Sequence, residues 1–365
     1  MISDNQMRSM KILNTLGKVI YENENIDNMK ELVEEAVKKG INLECAELES
    51  ADLEGADLSG ANFRWANFKG AILKDVNLES AYLKDAKLRG ANLFKVNLDH
   101  ADLQGADLSE ANLRDAILGS ANFENANLEN ADLAWGYLRK ANFRWANLEN
   151  VNLTHADLQG VKVCDTNLTN VYLSYADLRG VNLYGANLYK VILSYANLEN
   201  AILEDVDLRW ADFKGANLYR ADLNGADLRK AIFKNAVLRH ANLINAKLEG
   251  AELYDANLRD ANLRNANLEY AILDHADLQG ADLRIAWLEY ASLSCANLEN
   301  AILENTVLRH ANLSIANLIN AKLEGAELES TDLKGTRLRG ANLESAYLNG
   351  TKLRGANLGN ANHFV

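Results

Sequence analysis

The sequence predicts an all-β solenoid built from four-sided coils of 20 residues. Three observations carry that prediction: a five-residue frame that never slips, a 20-residue recurrence of the departures from it, and the absence of proline. From Ile41 to Asn360 the chain reads INLEC, AELES, ADLEG, ADLSG, ANFRW, ANFKG and onward, giving 64 blocks in one register. The third residue is Leu in 57 blocks, Phe in six and Val once, at Val163. The first is Ala in 49, with Val, Thr, Ile and Gly in the rest.

A period of five suits neither regular element. On an α-helix it advances 500° per block, so the leucines form no stripe. On a continuous strand an odd period throws successive leucines to opposite faces. The pattern is satisfied when the first and third residues point inward and the others turn the chain; Asp, Asn, Ser and Gly near the turn fit that role. The outliers give the coil length. Phe123 and Phe143 are 20 apart, as are Phe213 and Phe233, and Val151, Val171 and Val191 step by 20. An enlarged side chain fits best where the next layer is enlarged too. Four blocks therefore close one coil, and residues 41–360 make about sixteen coils, roughly 75–80 Å at the usual strand spacing. Proline removes a backbone donor, so a chain without it is one that commits its amides to ladders.

Residues 1–40 lie outside the repeat and form a separate capping module ahead of the solenoid at 41–365. Lys11-Ile12-Leu13-Asn14 and Val19-Ile20-Tyr21 flank Gly17 as a hairpin. Asp27 to Lys39 reads as an amphipathic helix with Met29, Leu32, Val33, Ala36 and Val37 on one face and Gly40 at its end. An open solenoid end needs covering, which is the job expected of this module. The array ends in Ala361-Asn362-His363-Phe364-Val365 with no comparable cap, so a second copy docking on that coil is an expected contact.

The A-[DN]-L-x-x run resembles the signature of the pentapeptide-repeat family over 320 of the 365 residues. The resemblance implies a right-handed quadrilateral β-helix, and residues 1–40 look like the hairpin-plus-helix module that precedes the repeats in some bacterial members. This chain differs from better-studied members in having no loop inserted between blocks. Some bacterial members mimic DNA and bind type II topoisomerases, inhibiting DNA gyrase or protecting it from quinolones.

The charge distribution argues against that activity here. A DNA-like rod of this length would need roughly 45 negative charges. The repeat region has 44 acids but 32 bases, and its four sides, starting with the block at 41, carry nets of −5, −4, −2 and −1. No side is basic either, so direct nucleic-acid binding is not expected. Catalysis needs a pocket that shifts a pKa, and an unbroken four-sided coil offers none. The expectation is a non-enzyme without cofactor or metal. Five of the six histidines sit at outward fifth positions, no two of them 20 apart, and Cys45, Cys164 and Cys295 are too distant in the array to bridge. That sparse cysteine use fits a reducing compartment, and the first residues contain no basic-then-apolar leader, so the expected location is cytoplasmic, with no membrane span.

The expected function is therefore a scaffold that presents outer surface to a protein partner. The expected contact residues stack on the side begun by the block at 51: Trp135, His155, Tyr175 and Tyr195 at fifth positions, with Tyr172 and Ile192 outward beside them. Residues 151–200 carry only four acids and three bases, leaving that stretch nearly neutral. Exposed aromatic clusters mark contact sites, although stacked rings also brace neighbouring strands. A smaller ladder, Tyr270, Tyr290 and His310, reads more as bracing.

Overall fold

The repeat is explained by where its backbone amides go. The first residue of each block donates to the third residue of the block before it, as Ala56 N does to Leu53 O at 2.9 Å. The third and fifth donate forward to the next coil, as Leu58 N to Asn77 O (2.8 Å) and Gly60 N to Glu79 O (2.9 Å). The second donates back, as Asn77 N to Ala56 O (2.9 Å). The fourth donates to the side chain of its own second residue, as Glu79 N to Asn77 Oδ1 (3.2 Å). Where the second residue is Asn or Asp all five amides are committed, which leaves such a block no place for proline. The fifth residue closes the turn in the left-handed region, with φ near +60°, whether it is Gly60 (+66°), His100 (+58°) or Trp135 (+63°).

The structure, a computed structural model, describes residues 9–362. The chain divides into two compact units, Met1–Tyr172 and Leu173–Val365. Within each, parallel bridges join residues 20 apart at every second position, such as Asn122↔Asn142 in the first unit and Asn242↔Asn262 in the second. Four blocks thus make one coil. The fold is a right-handed quadrilateral β-helix, with its four sides begun by the blocks at 41, 46, 51 and 56.

First and third residues are buried throughout the core. The size-matched outliers stack as expected: Phe123 on Phe143 at 4.7 Å in the first unit, and Phe213 on Phe233 at 4.7 Å in the second. Threonine at the first position is accommodated by a hydrogen bond, because a buried hydroxyl without a partner is costly. Thr166 Oγ1 donates to Phe143 O (2.8 Å), and Thr306 Oγ1 to Leu283 O (2.9 Å).

The first unit begins with β1 (Met10–Asn14) and β2 (Val19–Asn23), an antiparallel hairpin whose turn uses Gly17 at φ +76°. The helix α1 spans Met29–Lys38, two residues shorter at its start than the sequence pattern suggests, because Asn28 caps it by accepting from Glu31 N at 2.8 Å. Gly40, at φ +67°, ends it. β1 pairs antiparallel with β3 (Ala46–Glu47) in the first coil. Thr15 N donates to Cys45 O (2.9 Å), and the Glu34 carboxylate accepts from Asp57 N (2.9 Å). The hairpin and helix therefore occupy the coil edge that would otherwise be open. The residues read for a leader (1–6) and the apolar end His363-Phe364-Val365 lie outside the described residues.

One network ties hairpin to helix. The Glu35 carboxylate accepts from Tyr21 Oη and Asn23 Nδ2, both at 2.7 Å, and pairs with Lys39 at 2.8 Å. The Lys39 hydrogen bond, then those from Asn23 and Tyr21, hold its pKa down at about 2. A carboxylate depressed in the folded state stabilises it above its unfolded pKa, and that contribution fades as pH falls toward the folded value. The melting-temperature difference between the native chain and Glu35→Gln is therefore expected to be full at pH 6, to shrink between about pH 4.5 and 2, and to close below that; a difference constant with pH would remove the carboxylate from this role.

Candidate functional site

A fifth-position side chain leaves the turn from a left-handed residue and leans over the coil that follows. In the first unit Trp135 (φ +63°) and His155 (φ +61°) stack in this way, ring centroids 3.8 Å apart and planes within 11°. Trp135 is exposed and His155 half-buried. The same unit places Tyr172 outward at a second position, where it bridges Asn152, and it is exposed. Ile117 and Tyr137 also project outward at bridged second positions on the side following Trp135, a grouping the fifth-position pattern does not reveal.

In the second unit Tyr175 and Tyr195 (both φ +60°) stack at 5.1 Å and are both exposed. The Tyr195 ring lies across Gly215, whose missing Cβ would fall within 2.6 Å of the ring carbons. Ile192 is only half-buried at its second position, so it offers less surface than an outward apolar residue suggests. Of the expected contact residues, Trp135 and His155 thus stack in the first unit and Tyr175 and Tyr195 in the second.

Left-handed backbone costs a non-glycine residue about 1–2 kcal/mol. Asn, Asp and Gly carry it most cheaply, and they fill many fifth positions. Aromatic residues there accept that cost while exposing large rings, which core packing does not require.

Some acids on the sides pair with neighbouring bases. Arg139 Nε meets Asp157 at 2.5 Å in the first unit; Arg209, Arg229 and Arg284 pair with Asp207, Asp227 and Asp282 in the second. The Arg209 hydrogen bond holds the Asp207 carboxyl below its usual range. Second-position Asn side chains add ladders of their own, Asn97 Nδ2 donating to Asn77 Oδ1 at 3.1 Å and Asn317 Nδ2 to Asn297 Oδ1 at 3.0 Å. These ladders explain the Asn and Asp preference at the second position. Among the described residues no cluster of three or more His, Cys, Asp or Glu is arranged to hold a metal, and no helix is long and apolar enough to cross a membrane. Cys45, Cys164 and Cys295 are free thiols.

A scan against protein families matches Pentapeptide repeats (8 copies) over residues 39–284 and 291–362. The chain belongs to the pentapeptide-repeat family, proteins that are generally structural scaffolds rather than enzymes. Among solved structures it is similar to HetL, a pentapeptide repeat protein involved in heterocyst differentiation regulation from the cyanobacterium Nostoc sp. strain PCC 7120. The two share 29% identity over 66% of this chain and 88% of that one, with a TM-score of 0.20. Rfr23 from the cyanobacterium Cyanothece 51142 is 40% identical over 28% of this chain and 60% of its own, TM-score 0.17. A trypsin-treated variant of QnrB1, a plasmid-mediated fluoroquinolone resistance protein, is 20% identical over 41% of this chain and 87% of its own, TM-score 0.32. No curated protein sequence matches.

Proposed function

We propose that this protein is a non-enzymatic scaffold of the cytoplasm whose β-helix presents outward aromatic residues to a protein partner. The observation that carries the reading is the placement of the large rings of Trp135, Tyr175 and Tyr195 at strained left-handed positions where they are exposed. Rigid rings lose little entropy when covered, which suits them as anchors. Tyr172, Ile192 and His155 extend the candidate contact surfaces. The gyrase-directed reading is weaker, because bases are interspersed with the acids on every side and the charge is not stripe-like. A second copy is a further candidate partner at the C-terminal end, where Leu353 of the last described coil is exposed.

The test replaces Tyr172, Tyr175 and Tyr195 together with Ser. Partner capture from the source cell is expected to fall about tenfold or more while the melting temperature moves only a few degrees. Retained capture with a lowered melting temperature would assign the rings to bracing. Capture that is indifferent to these changes, together with gyrase inhibition in a supercoiling assay, would favour the DNA-mimic reading.

A further inference from the structure

In the second unit, the side begun by the block at 266 gathers a second set of outward rings. Tyr270 stacks on Tyr290 at 5.1 Å, and Tyr290 on His310 at 4.9 Å. Trp287, at the second position of the same side, bridges Asn267 and Val307 and is 46% exposed; Tyr270 and Tyr290 are 59% and 47% exposed. Ile285 precedes this side at a corner with φ +54° and is exposed. A β-branched residue in the left-handed region is a true outlier, and an exposed one recovers nothing from the core.

Carboxylates line these rings. Glu249, Glu269 and Glu289 occupy the fourth position of successive coils, about 4.8 Å apart. Glu289 is met by Arg309 at 3.2 Å, whereas Glu249 and Glu269 have no ion pair among the described residues. The Glu249 Oε2 atom is buried without a hydrogen-bond partner. Residues 251–300 hold nine acids against three bases. Two of those bases, Arg259 and Arg284, are committed to Asp277 and Asp282.

The same side shows what such a setting takes. Three coils earlier, the Arg209 guanidinium lies 5.4 Å from the Tyr189 ring centre, and Asp207 accepts from its Nε (2.9 Å) and Nη2 (2.7 Å). Ring and carboxylate together hold a planar cation through its π contact and its forked donors. Around Tyr270, Trp287 and Glu269 the rings and carboxylate are present, and no arginine pairs with Glu269 among the described residues.

We propose that this surface docks an arginine-bearing segment of a protein partner, with guanidinium groups seated against Tyr270 and Trp287 and paired with Glu269. The surface is independent of the Tyr175–Tyr195 pair, so either reading survives failure of the other. The probe is a fluorescein-labelled Gly-Arg-Gly-Arg-Gly-Arg-Gly peptide titrated with the full chain at physiological salt and followed by anisotropy. Saturable binding is expected, weakened about tenfold by Tyr270→Ser/Trp287→Ser and by the isosteric Glu269→Gln. The lysine version of the peptide is expected to bind several-fold less well. Glu129→Gln/Glu149→Gln removes two charges from the same fourth-position column in the first unit, beside Asn130 and Asn150 instead of rings, and is expected to change affinity less than about twofold. Four results overturn the proposal: no binding to the native chain, equal losses in the control variant, unaltered binding by folded Tyr270→Ser/Trp287→Ser, or equal affinity for the lysine peptide.

Discussion

Leu173→Asp is expected to be among the most damaging single substitutions in the chain. Leu173 is 2% exposed, its amide donates to Ile192 O at 2.7 Å, and its side chain enters the closed interior of the second unit. An aspartate there has two courses, burying an unpaired charge or pulling the block out of its ladder. Interior residues that bury an unpaired charge belong to the class costing about 4 kcal/mol or more, which corresponds to a melting-temperature loss of about 10 °C for a unit of this size. Solenoid coils are coupled mainly to their neighbours, so the damage is expected as local unravelling, seen as amide exchange in coils adjoining residue 173 ahead of the rest. Leu173→Met is the comparison and should cost less than about 1.5 kcal/mol. An aspartate variant that melts with the native chain would contradict the inward assignment of the third position.

Removing residues 1–40 is expected to have the next largest effect, through solubility. The deletion uncovers Cys45 O, strips β3 of its β1 partner and frees Asp57 N, all now bonded to hairpin or helix. It also removes Ile12, Leu32, Val33 and Ala36, which are fully buried. An unpaired edge beside exposed apolar surface is a template for association. Size-exclusion chromatography with light scattering should show aggregates at concentrations where the full chain runs as a discrete species. A truncated protein as soluble and as thermostable as the full chain would show that the module serves something other than the coil edge.

The sequence determined most of this architecture because one physical requirement repeats. The Ala and Leu at first and third positions must be buried together, and only a coil that turns every five residues allows it, so Phe123, Phe143, Phe213 and Phe233 announce the 20-residue layer by volume alone. The hairpin and helix were legible for the same reason, from local periodicity around Gly17 and Gly40. What the sequence left unsettled was the outer surface. The ladder of Asn77 and Asn97 depends on the geometry of one coil over the next, which no five-residue block contains. Ile192 reads as outward from its position, yet its neighbours half cover it. Trp287 and Ile285 join Tyr270 and Tyr290 in one patch only after three-dimensional stacking brings second and fifth positions of different blocks side by side. Burial in this chain follows from a period, which is written locally. The grouping of exposed rings and carboxylates follows from which coil lies over which, and that is decided by the tertiary ladder.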